Sequence, residues 1–267
     1  AIGSEINNAT RVIPIPGLGI TFQPSDMAKL FLVMYISRYL SKNQEEIDSP
    51  RVFWTTLFFI LLVVGLIAPE NLSTSLVVFL TAALLMFIGR VNFKYMMYMS
   101  FLGVGLISGL VILLLNINTD GMESSRIPTW KKRIETFMGK DDGQGNYQQL
   151  QSKIAVATGG VFGKGPGNST QRNYLPHPYS DFIYAIIVEE WGLMGGLGVL
   201  FLYLLLFFRF IVAAHKATTL FGKLLIVGLG FPMIFQAMIN MAVAVELLPV
   251  TGQTLPLISS GGSSIWM

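Results

Sequence analysis

The sequence predicts an all-α fold, a polytopic bundle of transmembrane helices with one large loop outside the membrane. Two observations predict it. Of the 267 residues, 52% are hydrophobic and only 12% charged, with a mean hydropathy of +0.60. Soluble domains carry about 25% charged residues. The apolar residues also fall in runs of helical-span length, roughly 17–25 residues, rather than in the short alternating segments of an outer-membrane barrel.

Residues 1–22 read as a polar loop, with Arg11, Pro14, Pro16, Gly17 and Gly19 among its breakers. A first span is expected over Pro24 to Leu40, with Asp26 and Lys29 near its start. A charged linker, Ser41 to Arg51, leads to a second span, Val52 to Ala68, and a third, Leu72 to Ile88. A fourth covers Tyr95 to Leu115, and Asn116 to Ser180 follows as a long hydrophilic loop. The fifth span begins at Asp181 and ends near Val212, too long for one crossing, so part of it lies outside the bilayer core or along its surface. The sixth, Leu224 to Leu247, is interrupted at Pro232. The last segment, LPVTGQTLPLISSGGSS, is a Pro/Gly/Ser loop that keeps apolar residues. That composition suits a loop packed against protein at membrane depth. Ile265, Trp266 and Met267 read as the start of another apolar helix, so the chain is expected to be an internal piece of a larger polytopic protein. It forms one integral-membrane domain, 1–267, with 116–180 as the outer loop within it.

Short-loop basic residues set the orientation. Arg38, Lys42 and Arg51, then Arg90 and Lys94, then Arg209, Lys216 and Lys223 fall on one side, which is therefore cytoplasmic. The long loop carries eight Lys/Arg against five Asp/Glu, but long loops translocate largely regardless of charge. Its excess of +3 reads equally as a solvated or headgroup-binding surface and as an electrostatic clamp for a phosphorylated substrate. Cysteine is absent, which excludes disulfides and thiol chemistry. His177 and His215 lie far apart and offer no metal-ligand spacing.

The stretch from Gly159 to Gly192 concentrates the chemistry. A glycine-rich polar loop gives way to Pro176 and Pro178, Ser180 reads as an N-cap, and Asp181 opens the fifth helix. A carboxylate thus stands where a polar loop meets the membrane, which suits a substrate with a lipid tail and a water-soluble head. The plainer reading is that Asp181 complements the helix dipole. Glu189 and Glu190 lie about 80° and 180° around that helix from Asp181, and read as interfacial or paired charges. Asp26 and Lys29, three residues apart, read either as a local pair or as part of a substrate site with Arg11. Lys164, in GKG, lacks the spacing and Ser/Thr of a nucleotide-binding loop and is a weaker candidate contact for a pyrophosphate. Gln253 and Ser259 either bind substrate or satisfy backbone in a buried loop, and the second reading is favoured. No histidine is placed to activate a serine nucleophile.

Four ordered segments carry a family resemblance. They are NNATRVI with FQPSDMAKL, YQQLQSKIAVATGGVFGKGPGNSTQ, YLPHPYSDFIYAIIVEEWG and LPVTGQTLPLISSGGSS. Together they resemble the SEDS family (shape, elongation, division and sporulation), which includes FtsW, RodA and SpoVE. GNSTQ with Tyr174, Leu175 and Pro176 is more similar to the FtsW branch than to RodA. Asn8, Val12, Asp26 and the His177 to Ser180 segment depart from the family's usual residues, and Glu70 to Thr74 differs from its Pro-Asp-Leu-Gly-Thr, so any role of that Asp is not carried over. The carboxylate at Asp181 is retained.

The resemblance implies a fragment of a ten-helix fold, with helices four to nine present. It implies a peptidoglycan glycosyltransferase that polymerises lipid II, the undecaprenyl-linked disaccharide-pentapeptide, on the outer face of the bacterial cytoplasmic membrane during cell division. Asp181 matches the family's catalytic Asp. The donor linkage is α and the product β, so one inverting displacement is the economical path. One carboxylate base with cationic stabilisation of the leaving pyrophosphate suffices for it. A divalent cation, Mg or Mn, is compatible with that chemistry, although no ligand cluster is visible. A class B penicillin-binding protein transpeptidase is the partner the family implies, alongside divisome proteins and membrane lipids; nothing points to nucleic acid. The rival readings are a lipid II flippase and a non-enzymatic divisome scaffold.

Overall fold

The computed structural model describes residues 4–6, 9–14, 21–117, 127–138, 144–175 and 178–260. Among them are eight helices: α1 (Pro24–Lys42), α2 (Pro50–Ile67), α3 (Leu72–Ile88), α4 (Phe93–Asn116), α5 (Ile127–Phe137), α6 (Gln144–Gly159), α7 (Ile183–Lys216) and α8 (Leu220–Ala244). Three short strands precede them: β1 (Ser4–Ile6), β2 (Ala9–Pro14) and β3 (Thr21–Phe22), antiparallel in that order. The expected opening loop is thus partly a sheet. Its longest strand, ATRVIP, is rich in β-branched residues, and most of the breakers fall at its end or beyond it.

Each of the six expected spans is a helix. Local chemistry sets their starts: the Ser49 hydroxyl accepts from the Val52 N–H with Pro50 at the first position, and the Asn71 and Asn92 side chains cap α3 and α4. Four helices, α2, α4, α7 and α8, are long and apolar enough to cross a membrane. α3 is apolar but 17 residues long. α1 carries Asp26, Lys29, Arg38 and Lys42.

The chain divides into two compact units, one of residues 1–126 with 207–232, the other of 127–206 with 233–267. In the first, Ile36, Leu40, Phe53, Ile60, Leu85, Met86, Met99 and Leu224 form a buried core. The Arg38 guanidinium lies 6.0 Å from the Phe221 ring centroid. Phe101, Val104 and Leu106 on α4 face outward, as lipid-facing residues of a span do.

The second unit contains what the sequence marks as the hydrophilic loop from residue 127 on. Among its described residues are two α-helices, α5 and α6. α6 docks on the end of α8: the Ser152 hydroxyl donates to the Ala244 carbonyl at 2.8 Å, and Lys153 pairs with Glu246 at 2.5 Å. Ala155, Ala185 and Ala244 are buried together, small enough to let α6, α7 and α8 approach closely.

Two helix boundaries correct the expectation. α8 is not interrupted at Pro232 but runs through it, as transmembrane helices tolerate. α7 begins at Ile183, so Asp181 sits in the turn before the helix rather than in its first turn, and Ser180 is not its cap. The carbonyls of Ser180 and Asp181 accept instead from the side chains of Ser259 and Asn240.

The overlong fifth span is resolved by a break at Gly192 (φ 69°, ψ −168°). Around it the glycine-rich loop trades hydrogen bonds with α7. The carbonyls of Glu189 and Glu190 accept from the N–H groups of Lys164 and Gly165 at 3.0 and 2.9 Å. The N–H groups of Leu193 and Met194 donate to the carbonyls of Gly160 and Val161 at 2.8 and 3.3 Å. A Cβ at Gly163 or at Gly192 falls 2.2 Å from a backbone oxygen of the opposite segment, so this close approach requires glycine on both sides.

Candidate functional site

The segment entering α7 is held by its backbone. The Tyr179 carbonyl accepts from the N–H and hydroxyl of Ser260 at 2.8 and 3.0 Å. The Ser180 carbonyl accepts from the Ser259 hydroxyl at 2.6 Å, and the Asp181 carbonyl from the Asn240 amide at 2.8 Å. Three successive carbonyls are therefore pinned, two by the final loop and one by α8. The pinning groups are themselves anchored. The Asn240 amide also donates to the Gln253 carbonyl at 2.7 Å, and the Ser259 hydroxyl accepts from the Leu255 N–H at 2.7 Å. The Tyr203 hydroxyl donates to the Pro256 carbonyl, and Gln236 donates to the Thr254 carbonyl at 3.0 Å. Beneath the turn, Leu175, Phe182 and Ile186 form a small buried cluster against Val250.

The Asp181 carboxylate is left half-buried. Its single hydrogen bond among the described residues comes from the Ser180 hydroxyl, at 2.9 Å to Oδ1. Beside it, α5 presents Arg133, whose Nη1 donates to the Thr251 carbonyl at 3.1 Å. The two meet over Gly252. Its φ of +67° favours glycine, and a Cβ built there lies 3.4 Å from Arg133 Nη2 and 3.7 Å from Asp181 Oδ2. A carboxylate that can take a proton and a guanidinium that can bind an anion thus flank one small notch. Among the described residues, one polar atom of the framework, Asn240 Oδ1, is buried with no hydrogen-bond partner.

Eight residues further on, Glu189 is the opposite case. It is fully buried and takes five hydrogen bonds. Oε1 accepts from the Lys164 ammonium at 2.5 Å and from the Thr170 hydroxyl and N–H at 2.8 and 3.2 Å. Oε2 accepts from the Ser169 hydroxyl at 2.5 Å and the Gln171 N–H at 3.2 Å. Every partner is a donor, so the ionised carboxylate is the form that satisfies them.

The second unit therefore brings Asp181, Gln253 and Ser259 together. The Ser259 hydroxyl bridges the Leu255 N–H and the Ser180 carbonyl, while the Gln253 carbonyl accepts from the Asn240 amide and Gln253 is buried. Lys164 lies in the same unit, but its ammonium is engaged by Glu189 and, at 3.1 Å, by the Thr170 hydroxyl. Asp26 and Lys29 belong to the first unit and form an ion pair at 3.0 Å. Arg11 lies on β2, and its side chain is outside the described residues, as are Pro176 and His177. Sequence reasoning passed over Arg133, Asn240 and Gly252. Arg133 counted only as one of several loop cations, Asn240 as part of an apolar span, and Gly252 as a loop breaker. Among the described residues no group of three or more His, Cys, Asp and Glu stands ready to hold a metal ion.

Comparison with known proteins places the chain. The family model described as cell cycle protein, covering FtsW, RodA and SpoVE, matches residues 1–267. A probable peptidoglycan glycosyltransferase FtsW of Pseudoalteromonas translucida is 34% identical over 273 residues, covering 100% of this chain and 65% of that protein. The chain thus spans just under two thirds of the length of that relative. A solved structure concerning the coordination of polymerization and crosslinking by a peptidoglycan synthase complex superposes with a TM-score of 0.72 at 27% identity, covering 99% of this chain and 71% of the other. The crystal structure of the rod shape determining protein RodA of Thermus thermophilus gives 0.63 at 28% identity, with 99% and 67% covered. With its apolar spans and its match from first residue to last, the chain is a multi-pass membrane protein that belongs to the FtsW, RodA and SpoVE family of cell cycle proteins.

Proposed function

We propose that this chain forms the catalytic part of a peptidoglycan glycosyltransferase that polymerises lipid II on the outer face of the bacterial cytoplasmic membrane during cell division. The observation that carries the reading is the Asp181 turn. Its backbone is fixed by three pinned carbonyls while its carboxylate stays half-buried beside Arg133. A general base needs this combination of fixed position and uncommitted oxygen. Asp181 takes the proton of the acceptor hydroxyl as that oxygen attacks the anomeric carbon from the face opposite the leaving group. The bond to the polyprenyl pyrophosphate breaks, the anomeric centre inverts from α to β, and the pyrophosphate departs as an anion that needs no proton. Arg133, fixed through Thr251, supplies the neighbouring positive charge that favours that departure.

The residues around Asp181 do not suit a protein-built metal cage, because its neighbour over Gly252 is a guanidinium. A Mg or Mn ion fits this account only as a companion of the pyrophosphate, and no step above depends on it. Gln253 and Ser259 act as framework for the Asp181 turn, and Lys164 acts through its bond to Glu189. Asp26, Lys29 and Arg11 remain candidates for a substrate surface. The partner that completes the reaction is a class B penicillin-binding protein transpeptidase, working with other divisome proteins. The similar peptidoglycan synthase complex coordinates polymerization with crosslinking, and that coordination supports this pairing.

The test uses the full-length protein, purified with its transpeptidase and supplied with labelled lipid II. Asp181→Asn, folded and bound to its partner, is expected to form no glycan chains where the wild type does. Undiminished polymer from the Asn variant removes Asp181 as the base. Absence of polymer from both proteins, with lipid II transfer between leaflets intact, favours the flippase reading.

A further inference from the structure

We propose that the tip of the glycine-rich loop, Gly160 to Gly163, is a wedge seated among the acyl chains of the outer leaflet. Phe162 is 85% exposed and Val161 53%. Backbone hydrogen bonds join this tip to α7 at Leu193 and Met194, which are 52% and 62% exposed, next to Trp191 at 55%. Five large apolar side chains are thus exposed along one seam. That seam continues into the outward apolar residues Leu197, Phe201 and Leu202 of α7, the most apolar of the four spanning helices.

Two further features suit the same seam to lipid rather than water. Irregular backbone is tolerated at membrane depth only where its polar groups are satisfied. Here the carbonyls of Gly160 and Val161 and the N–H groups of Gly163, Lys164 and Gly165 are all bonded within the seam. The nearest cation on the loop, Lys164, is neutralised by the buried Glu189. Trp191 is the residue type that settles at the boundary of headgroups and acyl chains. The wedge ties the depth of the first turns of α7, and of Asp181 before them, to the membrane surface. This inference rests on the spanning character of α7 and on the orientation that sets its start outside, not on Asp181 being the base, so it stands or falls separately from the catalytic reading.

The 267 residues contain no cysteine, so once any cysteine elsewhere in the full-length protein is replaced by serine the probe is clean. Phe162→Cys in the full-length protein is labelled with an environment-sensitive fluorophore in nanodiscs of phosphatidylcholine and phosphatidylglycerol. Asn168→Cys, exposed on the same loop, serves as the aqueous reference, and Val161→Cys stands in if the first variant misfolds. Emission at 162 is expected to be blue-shifted and quenched several-fold more by doxyl-labelled lipid than at 168, with iodide showing the reverse order. Equal iodide quenching at the two positions overturns the proposal, because the tip then lies in water. Shielding from both quenchers also overturns it, because another protein segment then covers the tip.

Discussion

Asp181 and Glu189 are eight residues apart in one compact unit, and the structure treats them in opposite ways. At Asp181 the backbone is restrained and the side chain much less so: three consecutive carbonyls are pinned while, among the described residues, the carboxylate takes one hydrogen bond, from its neighbour Ser180. At Glu189 the side chain is the restrained part, with no exposure and five hydrogen bonds. A carboxylate saturated with donors can hold two segments together but has no oxygen left for a proton from substrate. One held only through its main chain is positioned without being used up. The charge is the same, and the hydrogen-bond inventory decides the task.

The difference can be tested from its strongest consequence downwards. Asp181→Asn is expected to lower polymerisation by roughly 10²–10⁴-fold, the usual worth of a positioned general base. Thermal unfolding in detergent is expected to shift little, since one partly exposed hydrogen bond changes. Glu189→Gln reverses the profile. It leaves Lys164 beside an amide and sets an NH2 group against donors, at about 3–5 kcal/mol of stability. A large drop in the unfolding midpoint checks this. Lys164→Met, on a partly exposed ammonium, is expected to cost less, and adding it to Glu189→Gln is expected to recover part of the loss.

Smaller effects sharpen the same contrast. Gly192→Ala adds a Cβ 2.2 Å from the Val161 carbonyl and occupies a left-handed backbone. It is expected to open the seam, read as faster limited proteolysis after Lys164. Asn240→Ala removes two hydrogen bonds that hold the Asp181 turn and the final loop, at about 1–3 kcal/mol. Its signature is a lower kcat at nearly unchanged KM, because the base is displaced rather than lost. Ser180→Ala is expected to alter the rate only several-fold.

Most of the helical framework was legible in the sequence because membrane spans announce themselves through long apolar runs. α2, α3 and α4 lie within about two residues of their expected limits. The misses have physical causes. α5 and α6 lack apolar runs and are held by tertiary contacts such as Ser152 on Ala244, which no local pattern encodes. The turn before α7 is held by Asn240 and Ser259, each more than fifty residues from the carbonyl it binds, which no local pattern encodes. The excess length of the fifth span was visible, but its break at Gly192 depends on the loop that lies against it. Of the candidate site, the Asp181 carboxylate stood out in the sequence, through its place before an apolar helix and the motif around it. Arg133 was hidden among other loop cations, and Glu189, read as an interfacial or paired charge, is indeed paired, but with donors 18 to 25 residues earlier that no local spacing points to.

On the proposed function these two carboxylates divide the labour, one for chemistry and one for structure. That division is tested most directly by measuring lipid II polymerisation and thermal unfolding on the same preparations of wild type, Asp181→Asn and Glu189→Gln, each with its transpeptidase bound. Asp181→Asn is expected to abolish polymer with an unfolding midpoint near that of the wild type, while Glu189→Gln lowers the midpoint sharply. Strong polymerisation by Asp181→Asn contradicts the division, as does a Glu189→Gln protein that keeps full stability while losing activity.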